Sequence, residues 1–201
     1  MTVDLAQVIP PLVRANVDFI LIRGMAAILH GSARVTFDVD VVYSRTHENI
    51  ERLSIALAPH RPYLRNAPSG LPFAWDTKTI RNGLNFTLTT DLGDIDLLGE
   101  VAGGETYQTL LSHSFEVEAF GIHFKCIDLP TLIRIKEAAG RRKDQEAIAE
   151  LRVPLEEIDR KANLGVRRFF QRRDLVNQCV GSFFQEHAPR TEDSERGNAN
   201  Q

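Results

Sequence analysis

Apolar residues fall in short blocks along the chain, and their period changes from block to block. Phe19-Ile20-Leu21-Ile22 is an unbroken run with the length of a buried strand. From Phe37 to Tyr43 acid and apolar residues alternate, the period-two signature of a strand with one polar face. Leu84 to Thr90 and Ile95 to Leu98 predict two strands joined by a tight turn at Asp91-Leu92-Gly93. Phe115 to Phe120 and Ile122 to Cys126 predict a second hairpin about Gly121.

Helical spacing appears between these strands. Asp4 to Asn16 reads as a helix interrupted or restarted at Pro10-Pro11, because proline is poorly tolerated beyond a first turn. Met25 to His30 reads as a short helix closed by Gly31. Glu48 to Ala58 carries Ile50, Leu53, Ile55 and Leu57 at helical intervals, and a short helix is expected near Thr106 to Leu111. Residues 59–82 read as irregular, with a short strand near Phe73. After Asp128 the pattern is helical throughout. Asp128 caps a first helix with Pro130 in its opening turn, and Gly140 ends it. A second helix covers Asp144 to Leu151, and Pro154 opens a third that runs through Phe169-Phe170 to Phe183-Phe184.

Strands interleaved with helices, then helices alone, predict an α+β body over residues 1–128 and a helical C-terminal lobe over 129–187. Residues 188–201 contain no core-forming block and read as a disordered tail. At 201 residues and 43% hydrophobic, the chain can bury one ordinary core. No apolar run approaches the roughly 18 residues that span a bilayer. The N-terminus has no signal-peptide core, and the two cysteines, Cys126 and Cys179, have no metal spacing. A reduced, cytoplasmic protein without a membrane segment is expected.

Charge sharpens the picture. Residues 1–131 carry a net −5 and residues 132–173 a net +5, so the overall −3 conceals a basic segment. Such a segment beside an acidic site suits a polyphosphate or nucleic-acid partner, although solvated helix faces give the same count. Arg167-Arg168-Phe169-Phe170-Gln171-Arg172-Arg173 reads first as an amphipathic helix and second as an RNA contact. Trp75 reads as a packing residue.

The candidate chemistry lies in the acids. Asp38 and Asp40 are two apart on a strand and so project from one face. Adjacent carboxylates repel unless a cation lies between them, and an all-oxygen ligand set suits a hard ion such as Mg²⁺ or Mn²⁺. Upstream, Gly24 marks a strand-to-helix junction where backbone can approach a phosphate. Downstream, Asp94-Ile95-Asp96 offers a third carboxylate on another strand, Asp96 better flanked by apolar residues than Asp94.

Strand, Gly turn, helix, then Asp-x-Asp after a twelve-residue spacer resembles the nucleotidyltransferase superfamily related to DNA polymerase β. Met25 stands where that pattern has Gly or Ser, leaving its backbone N–H to serve a phosphate. Lys136-Glu-Ala-Ala-Gly-Arg141, the later Asp144, and Gly31-Ser32-Ala33-Arg34-Val35-Thr36 resemble the AbiE-type toxin nucleotidyltransferases, including the MenT toxins. The resemblance covers about residues 18–150. It implies a polymerase-β-like core and transfer of a nucleotide from an NTP to an acceptor hydroxyl. It assigns catalysis and metal binding to Asp38, Asp40 and Asp96. It assigns nucleotide contacts to Gly24, Met25, Arg34, Lys136, Arg141 and Asp144. It further implies a tRNA 3′ end as acceptor and a cognate antitoxin as partner. Modification of an antibiotic or of a protein hydroxyl, and a catalytically silent NTP-binding module, remain alternatives.

Overall fold

The computed structural model describes residues 5–68 and 70–163. Helix α1 (Leu5–Arg14) runs through both prolines in one piece. Leu5, Val8, Ile9 and Leu12 form its buried stripe, and that anchoring outweighs the helix-breaking tendency of Pro10 and Pro11. Strand β1 (Phe19–Ile22) is buried along its whole length. Helix α2 (Arg23–Leu29) follows with no intervening loop, so Gly24 lies inside its first turn rather than ahead of it. Strand β2 (Val39–Tyr43) begins after Asp38, and all five of its residues are buried.

Helix α3 (His47–Leu57) is capped by the Thr46 hydroxyl, which accepts from the Asn49 N–H. The region read as irregular holds two elements. One is strand β3 (Tyr63–Leu64); the other is helix α4 (Thr77–Asn82), whose Asp76 cap accepts from the Thr79 N–H. The strand expected near Phe73 is absent. Phe73 instead packs edge-on against the Tyr63 ring at 5.9 Å, a side-chain contact that needs no ladder. Strands β4 (Asn85–Thr90) and β5 (Gly93–Leu98) form the first hairpin. A small ribbon of β6 (Glu100–Val101) and β7 (Glu105–Thr106) leads into helix α5 (Tyr107–Leu110). Strands β8 (Ser114–Ala119) and β9 (Ile122–Ile127) form the second hairpin.

Helix α6 (Leu129–Ala139) has Asp128 as its cap, accepting from the Thr131 N–H at 2.9 Å, and Gly140 closes it at φ +60°. Helix α7 (Arg142–Asn163) is a single helix where two were expected, and it passes through Pro154. Asp144 therefore lies within its first turn. The expected helical segment through Phe169 to Phe184, the Arg167–Arg173 basic face and the tail lie outside the described residues.

The protein is α+β, with a mixed seven-stranded sheet ordered β3-β4-β5-β2-β1-β9-β8 and helices packed against it. β2 runs parallel to β5 and β1 parallel to β9, while the remaining neighbours are antiparallel. Helices α1, α3 and α4 pack together. Trp75 joins that layer to the sheet by donating its indole N–H to the Ser54 carbonyl and stacking edge-on against Phe86. The layer therefore covers the face that Phe86, Leu97 and Val41 share by register. Helix α2 packs on β1, β2 and α6, and α6 packs on α7. Leu129, Leu132, Ile133 and Ile135 of α6 belong to the same core as the strands, so the first helix after residue 128 is part of the body.

Asn49 pins this core at the N-terminal end of β1. It is fully buried, accepts from the Asp18 N–H at 2.7 Å, and donates to the Asp18 and Ser44 carbonyls at 3.0 and 2.8 Å. The Asp18 N–H and the Ser44 carbonyl find their partner in this one side chain, and the Asp18 carbonyl, which also accepts from the Ser44 N–H at 2.9 Å, gains a second one. Replacing Asn49 with Leu keeps the volume but leaves the Asp18 N–H and the Ser44 carbonyl without that partner. Urea unfolding of Asn49→Leu should show a loss of about 3 kcal/mol, the cost of stranding buried polar groups.

Candidate metal centre

Parallel pairing of β2 with β5 sets Asp40 directly beside Asp96. The register continues outward, with Thr87 of β4 opposite Asp96. The Arg65 N–H then donates to the Thr87 carbonyl at 2.9 Å. One row across the sheet therefore reads Asp40, Asp96, Thr87, Arg65, all on the face opposite Val41 and Leu97. Asp38 precedes β2 and shares the side of Asp40. Carboxylate oxygens of Asp38, Asp40 and Asp96 lie within 4.8 Å of one another, close enough to hold a single metal ion. Asp94, the alternative third acid, sits one step outward and accepts from the Thr89 hydroxyl at 2.8 Å.

Burial is graded across the cluster. Asp40 is 4% exposed and Asp96 9%, whereas Asp38 is partly open to solvent. Burial pushes Asp40 up to about 7; the nearby Arg23 charge opposes this, and the Asp38 and Asp96 charges reinforce it. Asp96 is raised for the same first reason, with Arg65 pulling the other way.

Two guanidinium groups enter the cluster, and neither stands out in the sequence. Arg23 Nη1 donates to Asp40 Oδ1 at 2.8 Å and lies 3.7 Å from Asp96 Oδ2. Arg65 reaches Asp94 at 3.1 Å and Asp38 at 3.5 Å and makes a short contact with Asp96. Burial works against the Arg65 charge, but its bond to Asp94 and the charges of Asp96, Asp94 and Asp38 hold its pKa above the usual arginine value. Arg23 has φ +56°, a left-handed conformation that costs a non-glycine residue about 1–2 kcal/mol. A clue to Arg23 was its place between the apolar run and Gly24. No clue pointed to Arg65, because β3 has only two residues and no alternation to read.

Gly24 supports the cluster through packing. A Cβ there would lie 2.5 Å from Thr36 Oγ1 and 2.8 Å from Thr36 Cβ. The Thr36 hydroxyl donates to Asp38 Oδ1 at 3.0 Å. The absent side chain of Gly24 thus lets Thr36 hold Asp38. Met25 turns its side chain into the core and is 3% exposed, which answers where that bulk goes.

The other expected nucleotide contacts are engaged elsewhere. Arg34 pairs with Glu150 at 3.0 Å and Glu146 at 3.2 Å, both on α7, and these bonds raise its pKa. Lys136 pairs with Asp144 at 3.2 Å in a mostly buried bridge between α6 and α7. Arg141 is exposed at the α6–α7 junction. None of these four makes a hydrogen bond or ion pair with the acid cluster among the described contacts. A cleft lined by Val13, Asp18, Tyr107 and Lys125 lies at the other end of β1 and shares no residue with the cluster.

The donor set fits a divalent cation. It is all oxygen, it converges, and its surplus negative charge already attracts two cationic side chains. Two outcomes follow. Gly24→Ala should push Thr36 off Asp38, lowering stability by about 2 kcal/mol in denaturant unfolding, and weakening Mn²⁺ binding in the same protein. For Asp40, the folded carboxyl holds its proton up to about 7 while the unfolded one releases it near the ordinary aspartate value of about 3.8. The folded state therefore binds more protons between these values, and Asp40 lowers stability as pH rises through that window and no further above it. Metal-free melting temperatures should fall from pH 4 to pH 7 less steeply in Asp40→Asn than in the native protein, and Mn²⁺ affinity should rise as pH passes 7.

No protein-family model matches this chain, and no curated protein matches it either.

Proposed function

We propose that this protein is a metal-dependent nucleotidyltransferase with a polymerase-β-like core, moving an NMP from an NTP to an acceptor hydroxyl. The observation that carries the reading is the convergence of Asp38, Asp40 and Asp96 within 4.8 Å on and beside two parallel strands. Mg²⁺, or Mn²⁺ in its place, would stabilise charge on the phosphates and favour the attacking alkoxide.

Asp38, Asp40 and Asp96 would hold the cation, Asp40 losing its proton as it does so. Asp96 also offers an oxygen that can take the proton of the acceptor hydroxyl. Thr36 keeps Asp38 turned toward its neighbours. Lys136, Arg141 and Arg34 would bind phosphate oxygens, Arg34 after giving up Glu146 and Glu150. The favoured acceptor is RNA, in particular a tRNA 3′ end, supported by the net +5 of residues 132–173. A toxin-like activity restrained by an antitoxin goes with that acceptor.

A second reading is favoured by Arg23 and Arg65, which neutralise the acids internally. On that reading the chain binds an NTP without transferring it. Incubation with each labelled NTP, Mg²⁺ and total tRNA separates the two. Label should move to tRNA, and Asp38→Asn or Asp96→Asn should lower the rate by at least about a hundredfold without unfolding the protein. NTP binding with no transfer to tRNA or any other acceptor supports the second reading, and undiminished transfer in both variants refutes the first.

A further inference from the structure

Arg23 sets a fixed positive charge at the edge that Asp40 and Asp96 share. Its Nη1 lies 2.8 Å from Asp40 Oδ1 and 3.7 Å from Asp96 Oδ2. A Mg²⁺-sized ion binds carboxylate oxygens at about 2.1 Å, so it and the guanidinium compete for Asp40 Oδ1 and for the negative charge of both acids. We infer that Arg23 is an internal competitor for the metal, and that metal loading requires its side chain to leave the Asp40–Asp96 edge. This rests on the metal-site reading proposed above and adds what controls that site's occupancy.

Three observations support Arg23 over Arg65 as the competing group. Arg65 pairs with Asp38 and Asp96 but keeps a separate partner, Asp94, outside the three-acid set, so it retains an ion pair when it withdraws from the other two. Arg23 has ion pairs only with Asp40 and Asp96 among the described residues, both of them members of that set. Arg23 also adopts φ +56°, a conformation that suits glycine, directly where β1 passes into α2. The chain thus places its longest cationic side chain at a position where the backbone favours none. The Arg23 side chain is 26% exposed, so part of it already borders solvent.

The consequence is a threshold. The divalent ion must displace a fixed charge before it binds, and affinity is lowered by that competition. Once displaced, the guanidinium carries its charge beside the site.

The test is Mn²⁺ titration of the full chain, read by the loss of the free-ion paramagnetic resonance signal. It compares the native protein with Arg23→Gly and Arg23→Asn, both of which tolerate the left-handed backbone. Arg61→Gln, which removes an exposed arginine paired to Asp91 instead, controls for net charge. Both Arg23 variants should bind Mn²⁺ at least about tenfold tighter than the native protein, an effect of about 1.4 kcal/mol by the usual conversion, while Arg61→Gln should not. Their melting temperatures should depend more on Mn²⁺ than the native one does.

Equal or weaker Mn²⁺ binding in the folded Arg23 variants overturns the inference, even if the native protein transfers label. Tighter binding with no label transfer to any acceptor leaves the inference standing and removes the nucleotidyltransferase reading. Failure of every form to bind Mn²⁺ removes the metal site and the inference together.

Discussion

Two buried carboxylates held side by side repel, and the parallel pairing of β2 with β5 leaves Asp40 and Asp96 no way to separate. Much of the surrounding architecture answers that constraint. Arg23 arrives from the β1–α2 junction and Arg65 from the far edge of the sheet, so charges from both sides meet between the acids. Asp40 responds as a buried acid does and keeps its proton to about 7. Thr36 steadies the more open Asp38, and Gly24 leaves it room. Removing one partner of such a cluster leaves an uncompensated buried charge and is costly.

Other basic residues are paired in the same way. Arg34, Lys136 and Arg152 are drawn into pairs that tie α7 to the rest of the body, with Glu146 and Glu150, with Asp144, and with Glu137. The Arg34 and Arg152 pairs are exposed and contribute little to stability, so a polyphosphate could compete for them at small cost. Lys136 and Asp144 are largely buried, and separating them costs more. Among the described residues, Arg34, Lys136 and Arg152 already have acidic partners that an incoming anion would have to displace.

Long, strongly patterned elements could be read directly. The four-residue run Phe19–Ile22, the two hairpins and the cap-to-glycine span of α6 all appear where periodicity and turn chemistry place them. Errors gathered where local preference opposed burial. Pro10, Pro11 and Pro154 argue for breaks, yet the helices continue, and in α1 the buried stripe explains it. β3 and α4 were hidden in a proline-rich stretch because two or six residues are too few to establish a period.

The sequence by itself singled out two members of the acid cluster and left Asp94 or Asp96 as the third. Asp38 and Asp40 share a face because a strand has period two, and Asp96 is flanked by apolar residues that seat it in a strand of its own. Only the tertiary structure decided that Asp96 rather than Asp94 joins them, because strand register is a long-range property of the β2–β5 pairing. It also decided that Arg23 and Arg65 complete the cluster and that Arg34 and Lys136 face partners on α7. Opposite charges pair by proximity in space, and residues separated by 17 or 31 positions, as Arg23 is from Asp40 and Arg65 from Asp96, have no local pattern to announce the meeting.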